Sequence, residues 1–161
     1  MTKMSELFAV GNEIGVSKWI NISQDQINQF GAATNDSDPF HCEPEWCEKN
    51  SPFKQTILFG FQTMGLLTSF FEDVLKEHGV DMDTSEDLFL NYGFDKLRLP
   101  APVMQSDDIR AKFTVSKIED KGFGKLLTVN VVVEIKGGKK PALIAEWVSY
   151  FQKDGAKMAR A

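Results

Sequence analysis

Cysteine and histidine are scarce in this 161-residue chain, two of each, and its 18 Lys and Arg are outnumbered by 23 Asp and Glu. Each shortage excludes a class of function. Cys42 and Cys47 stand five apart with Pro44 between them and lack the further Cys or His ligands of a zinc site, so both read as reduced thiols and no metal is expected. The net charge of -5 argues against a nucleic-acid partner, because phosphate binding needs a clustered excess of cations. The one local basic run, residues 136–140, reads as a hairpin. Long apolar runs are missing as well. The opening MTKMSELFAVGNEIG has no uninterrupted apolar stretch, and no later window approaches the roughly twenty apolar residues of a membrane span, so a soluble, cytoplasmic protein is expected.

What remains is ordinary globular composition, 42% hydrophobic and 25% charged, in a chain long enough for one domain with a sizeable core. We expect that domain over residues 1–153 and a loose, flexible tail over 154–161. No internal repeat or low-complexity segment interrupts it. Residues 16–22 (VSKWINI) are β-branched and aromatic enough for a short strand, and Ser23 followed by Gln26 is a capping-box pattern that opens a helix carrying Ile27, Phe30 and Ala33. Asn35, Asp36 and Pro39 supply the turn chemistry that stops it, and Pro44 suits the first turn of a second short helix, EPEWCEKN.

Residues 61–78 (FQTMGLLTSFFEDVLKEH) predict the core helix, with Phe61, Met64, Leu67, Phe71, Val74 and Leu75 on or near one face and Gly79 as the stop. His78 at its end reads as a C-terminal cap. Beyond a polar loop at 81–86 the period changes. Residues 87–99, 109–119, 126–136 and 143–152 read as strands, the second alternating Ile109, Ala111, Phe113 and Val115 against Arg110, Lys112, Thr114 and Ser116. Turns at 121–124 and 137–138 make the last strands antiparallel neighbours in a meander. A long helix followed by long strands predicts an α+β domain, the helix laid against a curved sheet.

The chemistry concentrates in residues 34–41, TNDSDPFH, where carboxylates, an amide, a proline and one of the two histidines stand together. Taken alone, Asp36 and Asp38 read as a helix exit with an Asx turn, His41 as a structural histidine, and Gly60 as a tight turn into the long helix. The alternative is a place where protons are moved.

Residues 30–47, FGAATNDSDPFHCEPEWC, resemble the signature of the MaoC-like dehydratases, the (R)-specific enoyl-CoA hydratases of hot-dog fold, in which Gly-Asp-x-Asn-Pro-aliphatic-His is followed by a small residue six further on. The stretches KQTILFGFQTMGLL and NYGFDKLRLPAPVMQSDDIRAKFTV also look like that family, particularly its nodulation-protein-N-like branch, so the resemblance covers most of residues 16–152. Asn35 stands where the family usually has Gly, Asp38 where it has Asn, Phe40 where it has an aliphatic residue, Cys47 where it has Ala or Ser, Phe59 where many members have His, and Ser106 where Gly is common.

The resemblance implies a hot-dog domain, a homodimer, and a hydro-lyase converting trans-2-enoyl-CoA to (R)-3-hydroxyacyl-CoA or the reverse, without metal or redox cofactor. The carrier is CoA or an acyl-carrier protein. It assigns acid–base chemistry to Asp36 and His41 and an oxyanion-binding backbone N–H to Gly60. Those residue types suit the chemistry, since hydration needs a base for water, an acid for C2 and donors for the thioester oxygen. A thioesterase and a non-catalytic acyl-thioester-binding module are the rival readings. Asp38 is the member of the cluster left without a part.

Overall fold

A computed structural model describes residues 7–80 and 88–152. Two segments read from the sequence, the polar loop at 81–86 and the tail at 154–161, lie outside those residues. The elements are β1 (Glu13–Val16), β2 (Ile20–Asn21), α1 (Gln24–Thr34), α2 (Pro39–Cys42), α3 (Pro44–Asn50), α4 (Gly60–Gly65), α5 (Leu67–Glu77), β3 (Leu88–Arg98), β4 (Asp108–Lys121), β5 (Gly124–Ile135) and β6 (Leu143–Gln152). The six strands form one antiparallel sheet in the order β1-β4-β5-β6-β3, with β2 also on β4.

The alternation in β4 becomes burial directly. Ile109, Ala111, Phe113 and Val115 are buried while the residues between them are partly exposed, because successive side chains of a strand point to opposite faces. Against that face lies α5, whose Leu67, Phe70, Phe71, Val74 and Leu75 are all buried at the spacing of one helical stripe. Phe71 is the hub. Its ring centroid lies 5.2 Å from Phe113, 5.6 Å from Trp147 and 5.5 Å from Phe89, so sheet and helix share one aromatic cluster. Removing such a ring typically costs about 3–5 kcal/mol, so Phe71 contributes substantially to holding helix on sheet.

Four expectations need correction. The core helix is two helices, interrupted at Leu66 (φ -72°, ψ -12°) beside Gly65, a poor helix former. The N–H of Leu66 still reaches Gln62 O at 3.1 Å and Leu66 O accepts the Phe70 N–H at 3.0 Å, so helical hydrogen bonding continues on both sides of the break. Phe61 is not on the core stripe: it is 74% exposed, and Phe70 takes a core position instead. The strand read at 16–22 is two short strands, β1 and β2. Finally, only β4, β5 and β6 form a meander, because β3 crosses over to pair with β6, with register shifts at residues 91–93 and 94–96.

The topology gathers one end of the sheet. Ile109 of β4 faces Ile135 of β5, Val133 of β5 faces Leu143 of β6, and Ile144 of β6 faces Arg98 of β3. The segment leading into β4 also pairs with residues 56–58, through Leu58 N–H to Val103 O (2.9 Å) and Gln105 N–H to Thr56 O (2.9 Å). Phe59 and Gly60 are thereby fixed beside that end. Among the described residues no helix is long and apolar enough to cross a membrane.

Candidate active site

The cluster at residues 34–41 is built by two helix ends. At the start of α1, Ser23 and Gln26 form the reciprocal capping box. At its end Asn35 adopts a left-handed conformation (φ 56°, ψ 32°) while the N–H groups of Asn35 and Asp36 return to Ala32 O and Gly31 O. That closure needs a residue tolerant of positive φ, a property Asn shares with Gly. Asp38 then caps α2, its Oδ1 accepting the Phe40 N–H at 2.9 Å, and Pro39 supplies the first helical residue with φ already set. The result is a single helical turn that was not expected from the sequence, although Asp38-Pro39 is its signature. It carries His41.

His41 is held on three sides. Its Nδ1 lies 2.8 Å from Ile57 O, and because a carbonyl only accepts, Nδ1 carries the proton and Nε2 is left with the lone pair in the neutral ring. The imidazole stacks on Phe59 at 3.9 Å between centroids and 28° between planes. Its backbone carbonyl accepts from Gln24 Nε2 at 2.7 Å, and Gln24 in turn takes the hydroxyl of Thr56 at 2.5 Å. His41 is therefore tied to residues 56–59, immediately before Gly60.

Gly60 is the first residue of α4, behind Phe59 as N-cap, so its N–H has no acceptor within the helix. A Cβ at Gly60 would lie 2.6 Å from Leu99 Cδ1 at the end of β3. Asp36 joins through its backbone. A Cβ at Gly31 would meet Asp36 O at 2.6 Å, Cys42 Sγ at 3.0 Å and Phe59 Cζ at 3.1 Å, which makes Gly31 the point where these residues converge. The Asp36 carboxylate is exposed and accepts the Asp38 N–H at 3.2 Å. Its carboxylate and the His41 ring share no hydrogen bond among the described residues. The structure thus brings His41 against the residues leading into Gly60 and attaches Asp36 to the same cluster by its main chain.

Three residues of the candidate site were missed in the sequence. Gly31 had a signal, an isolated glycine inside a helical pattern; Gln24 and Ile57 had none. Both cysteines are free thiols, and Cys47 donates to Pro39 O at 3.2 Å, so a small polar group at that position braces α2. The Cys42 thiol is pushed above its ordinary value by burial and then by the charges of Asp36, Asp38 and Glu43, which disfavours a nucleophilic thiolate. His78 is structural, its Nε2 bonding Ile14 O at 2.7 Å. A groove of about 410 Å³ at Trp19, Glu134, Lys139 and Lys140 is lined by none of Asp36, His41 or Gly60.

Residues 6–136 match the MaoC like domain. The chain belongs to the MaoC-like domain family. Relatives of this MaoC-like chain include nodulation protein N of Rhizobium leguminosarum bv. viciae, 35% identical over 146 residues, 90% of this chain and 88% of that protein. The 3-hydroxyacyl-thioester dehydratase Z of Mycobacterium tuberculosis is 37% identical over 139 residues, 86% of this chain and 87% of that protein. The solved (R)-hydratase from A. caviae superposes with a TM-score of 0.68 at 18% identity, covering 88% of this chain and 95% of that one. The α+β hot-dog architecture of the family is thus present here, a helix wrapped by an antiparallel sheet.

Proposed function

We propose that this MaoC-like protein is a hydro-lyase that adds water to a trans-2-enoyl thioester, giving the (R)-3-hydroxyacyl thioester, or runs the reverse reaction. The observation that carries the reading is the His41 arrangement, in which Nδ1 is committed to Ile57 O, Nε2 keeps its lone pair, and the ring stacks on the residue preceding Gly60. Water gives a proton to the Asp36–His41 pair as its oxygen bonds C3; the pair returns a proton to C2, so the C2=C3 double bond is consumed and the thioester stays intact. The Gly60 N–H receives the negative charge that develops on the thioester oxygen. Such a donor contributes about 3 kcal/mol to transition-state stabilisation. The 37% identity to a 3-hydroxyacyl-thioester dehydratase supports the same substrate class.

The substitutions at Asn35, Asp38 and Phe59 are the features that favour a non-catalytic module. Asn35 keeps the left-handed closure and Asp38 keeps the cap, so two of these preserve the backbone that presents Asp36 and His41. A dimer is the proposed assembly. Edge strand β3 exposes Leu90 (50%), Tyr92 (57%) and Phe94 (37%), an apolar edge that pairing with a second copy covers.

The test is loss of the enoyl-thioester absorbance of crotonyl-CoA. Wild type is expected to consume it without releasing free thiol, and His41→Ala or Asp36→Asn to be slower by about 100-fold or more. Undiminished hydration by His41→Ala overturns the acid–base assignment, and release of free thiol from a saturated acyl-CoA supports the thioesterase reading instead.

A further inference from the structure

Phe59 is buried, 4% exposed, and its ring takes no part in the bond changes of the reaction proposed above. Its surroundings are specific. One ring contact is the imidazole of His41, 3.9 Å away and nearly parallel; another is the ring of Phe30, 5.2 Å away and tilted by 43°; and its Cζ abuts the Cβ-less Gly31 of α1. The ring is pinned by α1 and in turn supports the histidine.

We infer that Phe59 is the positioning residue of His41: its ring plane sets the tilt of the imidazole, while Ile57 O sets the rotation, and together they aim Nε2 in one direction. A hydrogen bond along Nδ1–H leaves the ring free to rock about that line. A second constraint, perpendicular to the ring, is needed to remove this freedom, and a flat partner within stacking distance supplies it. Ile57 and Phe59 lie in one extended segment, with Phe59 at φ -62° and ψ 137°. Phe59 is also the N-cap of α4, so one residue sets both the tilt of the base and the place where the Gly60 N–H begins. Misplacing a reacting group by about 1 Å can cost on the order of 100-fold in rate, which makes such a support consequential. The inference rests on the proposed hydration reaction for its rate effect, but the ring geometry is measurable without any reaction.

The experiment compares wild type with Phe59→Leu, which keeps apolar bulk and removes the plane, and Phe59→His, which keeps a plane of suitable size. The chain has only two histidines, and they differ: His41 bonds a carbonyl through Nδ1, His78 through Nε2. Two-bond nitrogen–proton spectra at about pH 8.5, above the ordinary imidazole pKa of about 6.5, should therefore show one ring of each tautomer in wild type. Phe59→Leu is expected to broaden the His41 pattern or mix its tautomers, while His78 stays unchanged and reports that the fold is intact. Its kcat should fall about 10- to 100-fold with KM within about two-fold, and Phe59→His should recover kcat to within about three-fold of wild type. If Phe59→Leu does not fold, Phe59→Met, closer in length and volume, takes its place. A His41 pattern and kcat left at wild-type values by Phe59→Leu overturn the inference, as does equal loss of kcat in Phe59→Leu and Phe59→His. Should wild type fail to hydrate any enoyl thioester, the proposed reaction falls, and the His41 spectra of wild type and Phe59→Leu still decide the stack.

Discussion

Asp38 Oδ1 accepts the N–H of Phe40 at 2.9 Å, and this bond starts the turn that carries His41. The carboxylate that looked superfluous beside Asp36 is a helix cap, a task Asn performs as well as Asp. Asp38→Asn is expected to keep hydration within about three-fold of wild type, since the cap needs an acceptor and no charge. Asp38→Ala loses the acceptor, and about 1 kcal/mol, or about 2–4 °C in melting temperature, should go with it. A large loss of activity in Asp38→Asn with unchanged melting would show that the second charge takes part in the chemistry.

Gly31 and the Asp36 carbonyl approach so closely that α1 accepts no side chain at that position. In Gly31→Ala the added methyl meets the Asp36 carbonyl at 2.6 Å, and a backbone atom within a hydrogen-bonded helix closure cannot swing aside. We expect a loss of about 1–3 kcal/mol, read by chemical denaturation, with disproportionate loss of activity because Asp36, Cys42 and Phe59 all border the intrusion. Wild-type stability in Gly31→Ala would remove the convergence at this glycine from the account.

Much of this was legible in the sequence, and the misses have physical causes. Alternation in β4 is a local property that maps one-to-one onto burial, as the capping box maps onto the start of α1. Pairing of β3 with β6 is a long-range choice that no local pattern records. Periodicity places Phe61 in the core because it counts apolar residues without knowing where a helix breaks; the break at Leu66 gives α4 and α5 separate surroundings. At the site, residue types pointed to Asp36, His41 and Gly60. The support of His41 by Gln24, Ile57 and Phe59 depends on how α1, α2 and residues 56–59 are brought together, which only the fold supplies.

Asp73 provides a pH-dependent test remote from the site. Its Oδ2 accepts the Lys18 N–H at 2.8 Å and its Oδ1 pairs with Lys18 Nζ at 3.2 Å, tying the link between β1 and β2 to α5. The Lys18 backbone bond, with the lysine charge, holds the carboxyl below its ordinary 3.8 against the opposing effect of burial. A value lower in the folded state than in the unfolded chain stabilises fully above the unfolded value and is lost as pH falls through the folded one. The melting-temperature gap between wild type and Asp73→Ala should therefore hold steady from about pH 8 to 5 and shrink below about pH 4. A gap unchanged down to about pH 2 would mean that the carboxylate charge contributes nothing.

Gly60 and Leu99 separate packing from chemistry. The Cβ of Gly60→Ala would fall 2.6 Å from Leu99 Cδ1, the far end of a side chain that is 47% exposed and free to turn away. Gly60 opens α4, where alanine is well accepted, so Gly60→Ala should fold with stability changed by no more than about 1 kcal/mol. In the proposed reaction the thioester oxygen approaches the Gly60 N–H, beside which the new methyl would lie, and kcat should drop by about 100-fold. Adding Leu99→Ala relieves the crowding without clearing the methyl from the N–H, so the double variant is expected to melt like wild type and remain slow. If Leu99→Ala instead restores the rate, Gly60 serves only to accommodate Leu99, and the oxyanion donor must be sought elsewhere along the start of α4.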